Sequence, residues 1–133
     1  MKMHKLILVL LIGLFVSSGQ VKAFPIFDIP VKIFQAMKLG NVDELSKYFN
    51  TSIELVVLDK EDVYSKQQAV QILKTFFSKY KVKNFTLLHQ GGKEEAQYAI
   101  GTLETEQGNF RVYFLVRQKG TTALIHQLRI EEE

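Results

Sequence analysis

From residue 82 onward, apolar and polar residues alternate in four runs, Val82 to Gln90, Ala96 to Thr105, Asn109 to Gln118 and Thr122 to Glu131. The segments Gly91-Gly92, Gln107-Gly108 and Lys119-Gly120 separate them. A period of two places alternate residues on opposite faces of a sheet. Connections this short join only antiparallel neighbours. The second half of the chain is thus committed to a four-stranded antiparallel meander, and the first half must supply what covers its apolar face.

The earlier segments read as helices and a strand pair. Pro30 is placed to open a helix in which Ile33, Phe34 and Met37 recur at helical spacing, with Phe24 to Ile29 an extension ahead of it. Gly40 ends that helix. Asn41 offers a side-chain oxygen as the cap of a second one, and Glu44, three residues on, gives the capping-box arrangement. The spacing predicts that this second helix runs to Phe49 and buries Val42, Leu45 and Phe49. "SIELVVLD" reads as a strand, Asp59 to Asp62 as a polar turn, and a short strand ends at Tyr64. Ser65 with Gln68 repeats the capping pattern before a third helix with Ala69, Ile72, Leu73, Phe76 and Tyr80 along one face.

The N-terminus has a different character. Lys2 and Lys5 precede an unbroken run of apolar residues and glycine from Leu6 to Val16, and Ser17 to Ala23 is small and polar, ending in Val-Lys-Ala. These are the parts of a secretory signal peptide over residues 1–23, with cleavage expected after Ala23. The apolar run falls short of the ~18 residues that span a bilayer, so no membrane span is expected after cleavage. The domain of residues 24–133 is expected to be exported, to the periplasm or beyond the cell. The chain has no cysteine, which removes disulfides and lipid attachment from consideration. Of its 17 basic and 14 acidic residues, Lys2, Lys5 and Lys22 lie in the leader, which holds no acid, so residues 24–133 carry 14 of each. The basic balance that would suggest a nucleic-acid partner leaves with the leader.

Two helices, a strand pair, a long helix and a meander follow the order of the cone-shaped fold of nuclear transport factor 2 and ketosteroid isomerase. The stretches "LGNVDELSKYF", "IELVVLDKEDVY" and "YAIGTLETEQGNFRVYFLVRQKGTTALIHQLRIEEE" resemble an uncharacterised exported bacterial family of that cystatin-like superfamily, a domain of unknown function. The resemblance implies an α+β fold in which a strongly bent antiparallel sheet wraps around a long helix and a cavity, capped by two N-terminal helices. It does not imply one activity, because such scaffolds host many.

The residues themselves supply little acid–base chemistry. The steroid isomerase branch draws a tyrosine donor from its first helix, and none stands there in this chain. Asp43, Glu44, Asp59, Glu61, Asp62, Glu94 and Glu95 fall at helix starts and turns, where carboxylates are usually solvated. By alternation His89 shares a face with Phe85 and Leu87, and His126 shares one with Leu124, Leu128 and Ile130, so both are expected to line the cavity. On strands three places apart they would stand about 14 Å from each other, too far to share a metal ion or act as a dyad. No phosphate loop, no nucleophile elbow and no cofactor or metal motif is present.

One surface has a distinct composition. On Asn109 to Gln118 the residues Phe110, Val112, Phe114 and Val116 face inward, leaving Arg111, Tyr113, Leu115 and Arg117 outside. The adjacent strand is expected to add Ile125, Gln127 and Arg129 to that outer face. Arginine, tyrosine and aliphatic residues together have the composition of an interface. The sequence thus reads as an exported, non-catalytic module that binds a small ligand or a protein, with a weak homodimer through the outer sheet face. The alternative is an isomerase- or dehydratase-like enzyme using a pocket histidine or acid.

Overall fold

The computed structural model describes Gly19 and residues 27–133. The expected leader, its cleavage site and Phe24 to Ile26 lie outside those residues. Among the described residues, no helix is long and apolar enough to cross a membrane.

Helix α1 spans Val31–Leu39 and ends at Gly40 in the left-handed conformation, φ 63°. Helix α2 follows at once as Val42–Ser46, and the Asn41 side chain accepts the Glu44 backbone N–H at 3.1 Å. The capping box is only half formed, because the Glu44 carboxylate turns to Lys47 at 2.7 Å instead of reaching back. The helix is also shorter than its apolar spacing predicts. Phe49 begins strand β1 (Phe49–Val57), and its side chain is still buried.

Strand β2 (Lys60–Ser65) pairs antiparallel with β1 around the two residues Leu58 and Asp59. Helix α3 (Lys66–Lys79) starts with the full capping box: Gln68 N–H donates to Ser65 Oγ at 3.2 Å, and Ser65 N–H donates to Gln68 Oε1 at 3.0 Å. Its buried face is Ala69, Leu73 and Phe76, while Ile72 and Tyr80 are half-buried at the margin. The meander is β3 (Val82–Lys93), β4 (Ala96–Thr105), β5 (Gly108–Lys119) and β6 (Thr122–Glu132).

The six strands make one sheet in the order β2-β1-β6-β5-β4-β3. All neighbours are antiparallel except β1 and β6, which run parallel. The meander therefore proceeds as its short turns require, and its last strand returns to the hairpin at the start of the sheet. The first meander turn departs from expectation. Gly91 and Gly92 lie inside β3, and the reversal is made by Glu94-Glu95. A Cβ at Gly92 would come within 2.2 Å of the Ala96 carbonyl oxygen, so this glycine permits close strand approach instead of a turn.

The concave side of the sheet carries the hydrophobic core. Phe110, Val112, Phe114 and Val116 of β5 all point there and are buried, together with Ile53 and Leu55 of β1 and Leu128 and Ile130 of β6. Phe34 of α1 lies between Phe85 and Phe114, with ring centroids 6.1 Å from each. From the other side Phe76 of α3 meets Phe110 edge-on at 5.3 Å. Such aromatic pairs add about 0.5–1.5 kcal/mol beyond the area they bury. These residues place the packed core on the concave side.

Candidate functional site

Two β-bulges decide which residues face outward. On β3 the pairing steps from Leu87–Gly101 to His89–Ile100, leaving Leu88 as an extra residue. Between β5 and β6 it steps from Leu115–Gln127 to Val116–Ile125, leaving His126 without a partner on β5. An extra residue reverses the facing of everything beyond it.

The expected placements of three residues are corrected by these bulges. His89 is exposed on the outer face, where its Nε2 lies 3.0 Å from the Tyr98 hydroxyl. His126 is also turned outward, into a shallow depression of about 220 Å³ shared with Glu54, Arg117 and Gln127. Neither histidine lines the concave interior. Ile125, assigned by alternation to the outer face, is instead fully buried in the core. Arg111, Tyr113, Leu115, Arg117, Gln127 and Arg129 do lie on the outer face, as the alternation of β5 and the end of β6 predicts.

Two cross-strand rows build the centre of that face. One runs Val63–Glu54–Gln127–Leu115–Tyr98 from β2 to β4, and the other runs Glu61–Val56–Arg129–Tyr113–Ile100 with His89 at its end. Tyr98 and Tyr113 stack with centroids 6.4 Å apart and an interplanar angle of 20°. Tyr98, Ile100, Tyr113 and Leu115 are half-buried, and Val63 is 58% exposed. Around Arg111, Tyr113 and Arg129 the surface dips into a depression of about 430 Å³. A smaller one of about 210 Å³ lies between Arg129 and the acids Glu54, Glu61 and Asp62.

The charges on the face are partly paired. Arg129 contacts Glu131 at 2.8 Å, Arg111 reaches Glu133 at 3.8 Å, and Gln127 donates to Glu54 across the β6–β1 seam at 2.6 Å. Arg117 makes no ion pair among the described residues. Burial, and after it the Arg117 guanidinium, holds the pKa of His126 below the usual histidine value.

No carboxylate hydrogen-bonds His89 or His126 among the described residues, so neither ring has the orienting acid of a catalytic pair. No group of three His, Asp or Glu side chains among those residues could hold a metal ion. On the concave side the buried polar side chains are Gln97 and Thr105. The Thr105 hydroxyl is bonded to the Gly108 carbonyl and the Gln107 N–H, and Gln97 Nε2 has no partner among the described residues.

Tyr98, Ile100, Glu54 and Val63 join the outer face without having been singled out as its members in the sequence. The alternation of β4 carried the signal for the first two, because Ala99, Gly101 and Leu103 are the inward set. Val63 and Glu54 depend on β1 lying beside β6, a pairing between distant segments that alternation does not encode.

The family described as "Domain of unknown function (DUF4783)" matches residues 30–131. The chain belongs to the DUF4783 family. A DUF4783 family protein from Bacteroides ovatus is 39% identical, with a TM-score of 0.75 over 79% of this chain and 96% of that one. One from Bacteroides uniformis is 36% identical, with a TM-score of 0.75 over 80% of this chain and 98% of its own. A structure named Rd1NTF2_04 with long sheet shares the fold at 19% identity, with a TM-score of 0.61 over 75% of this chain and 94% of that one. No curated protein matches the sequence. This DUF4783 chain is thus an α+β domain of the nuclear transport factor 2-like cone fold, with a six-stranded mixed sheet, a long helix and short N-terminal helices.

Proposed function

We propose that this protein is an exported, non-catalytic binding module that works through the outer face of its sheet, and that its partner is a protein. The carrying observation is the half-buried patch of Tyr98, Ile100, Tyr113 and Leu115, set between arginines on β5 and β6 and acids on β1 and β2. Tyrosine, arginine and aliphatic residues are what a protein interface concentrates. Export is supported by the charged start, apolar run and small-residue exit of residues 1–23.

A second copy of the chain fits these charges. A two-fold axis along β6 would carry β1 of one copy over β5 of the other, setting Glu54 opposite Leu115 and two positions along the strand from Arg117. The contact is weak for two reasons. Arg129 and Arg111 already have partners in Glu131 and Glu133, so covering them costs desolvation for little new attraction. The four strands β1, β6, β5 and β4 also present a patch only about 19 Å by 20 Å, against the roughly 800 Å² per partner of a standard interface.

Light scattering over a concentration series tests the reading. The protein should shift from monomer toward dimer in the upper micromolar range, and Tyr113→Asp or Leu115→Glu should keep it monomeric with its melting temperature preserved. A wild type that stays monomeric at millimolar concentration, or variants that associate as it does, would return this face to ordinary solvated surface.

A further inference from the structure

The long helix and the first hairpin leave a second opening that the outer face does not use. Between the C-terminal half of α3 and the tip of β1–β2 is a depression of about 460 Å³, within the range of small-molecule sites. Leu58, Ile72, Phe76 and Tyr80 form its walls. Ile72 of α3 and Tyr80 at its C-cap are half-buried.

Leu58 marks the site in another way. It has φ 56° in a two-residue hairpin loop, a conformation in which glycine is the usual occupant. Its backbone N–H donates to the Ile130 carbonyl at 3.0 Å, which ties the hairpin tip to β6. A bulky side chain is therefore held in a strained backbone position at the wall of the depression, half-buried.

The mouth is asymmetric in charge. Lys60 from β2 and Lys79 from the last turn of α3 stand at it with one carboxylate, Asp59. Neither lysine is in an ion pair among the described residues. The Lys79 ammonium lies 5.3 Å from the centroid of the Tyr80 ring, directly against the apolar wall.

We infer that this opening binds an amphipathic organic anion, a monocarboxylate whose aliphatic or aromatic body lies on Leu58, Ile72, Phe76 and Tyr80 and whose carboxylate is held by Lys60 and Lys79. The apolar walls supply the affinity for the body, and two ammonium groups on separate elements select against a neutral or cationic head. The site is independent of the proposed self-association, since Tyr113 and Leu115 take no part in it.

Octanoate is the probe, with octylamine as its cationic counterpart, titrated into the protein expressed from the full chain and followed by backbone amide shifts. Octanoate should saturate with shifts centred on Leu58, Lys60, Ile72 and Tyr80, and octylamine should leave them unmoved at the same concentration. The paired substitution Lys60→Glu and Lys79→Glu should weaken octanoate roughly tenfold and lower the melting temperature only slightly, since both lysines are exposed and the charge reversal at the last turn of α3 opposes the helix dipole. Ile72→Asp should abolish the shifts, while Tyr113→Asp should leave them intact. Shifts centred elsewhere, no saturation up to the solubility limit, equal response to octylamine, or unchanged affinity in the double-glutamate variant would each overturn the assignment.

Discussion

Gly101 is the position at which the smallest substitution should have the largest effect. It lies in the middle of β4, paired with Leu87 on one side and Val112 on the other, and faces the concave interior. A Cβ there would stand 2.4 Å from Cζ of Phe85, 2.6 Å from its Cε2 and 2.6 Å from the carbonyl oxygen of Thr86. The ring has little room to withdraw, because Phe34 stacks on it at 6.1 Å and Phe114 meets it edge-on at 6.2 Å. The Thr86 oxygen belongs to the neighbouring strand and can retreat only if β3 moves. Overpacking of this kind costs about 1–3 kcal/mol. Replacing a strand glycine by alanine returns about 0.5–1 kcal/mol through the unfolded chain. Gly101→Ala should thus destabilise by about 1 kcal/mol net, seen as a fall in melting temperature of roughly 4 °C for a domain of this size. Calorimetry on the single variant and on Gly101→Ala with Phe85→Leu completes the test. The second change removes the ring contacts but leaves the Thr86 contact, so the two substitutions together should cost about 1 kcal/mol less than the sum of each alone. An unchanged or raised melting temperature for Gly101→Ala, or strict additivity in the cycle, would refute the claim that Phe85 requires a glycine beneath it.

Two smaller effects test the helix start and the outer face. Ser65→Ala removes the acceptor of the Gln68 N–H at the start of α3 and should cost about 1 kcal/mol by urea denaturation, whereas Ser65→Asp should largely retain stability. His126 has a folded-state pKa below its unfolded value of about 6.5, so at pH values below that the unfolded chain binds more protons than the folded one. Its contribution to stability is therefore complete above the unfolded pKa and is lost as the pH falls through the window down to the folded value. The melting temperature of the wild type should drop more between pH 7.5 and pH 5 than that of His126→Gln, and equal pH profiles would contradict the partial burial of His126 beside Arg117.

How far the sequence could be read depended on whether the information was local. The Ser65 and Gln68 pair sits three residues apart, and the capping box forms as written. The break at Gly40 and recap at Asn41 also formed, because both are properties of a few adjacent residues. The meander followed from short turns and alternation. What failed was parity. Alternation fixes the facing of a strand only until an extra residue enters, and nothing in "LLHQ" or "LIHQL" marks Leu88 or His126 as the inserted one. That single uncertainty moved His89, His126 and Ile125 to the faces opposite those expected. Glycine was ambiguous for a related reason, since Gly91-Gly92 has the composition of a turn yet serves as backbone clearance within β3.

The interior of a cone is set by the side chains that enter it. A cone of this kind encloses whatever volume its inward side chains leave, and here Phe34, Phe85 and Phe114 meet across it. Phe114 is fully buried and among the largest side chains in the core. Phe114→Ala should cost about 3–5 kcal/mol, the sum of lost transfer energy and the void it leaves. A domain with the usual 5–15 kcal/mol of stability would remain folded. The void would be lined by Phe34, Phe85 and aliphatic groups, and an apolar cavity of that kind stays dry and accepts benzene. Benzene should consequently raise the melting temperature of Phe114→Ala in a concentration-dependent manner and leave that of the wild type unchanged. Stabilisation of the wild type by benzene would mean that the concave side already holds an accessible cavity, and the case for placing this protein's working surfaces outside its cone would fail with it.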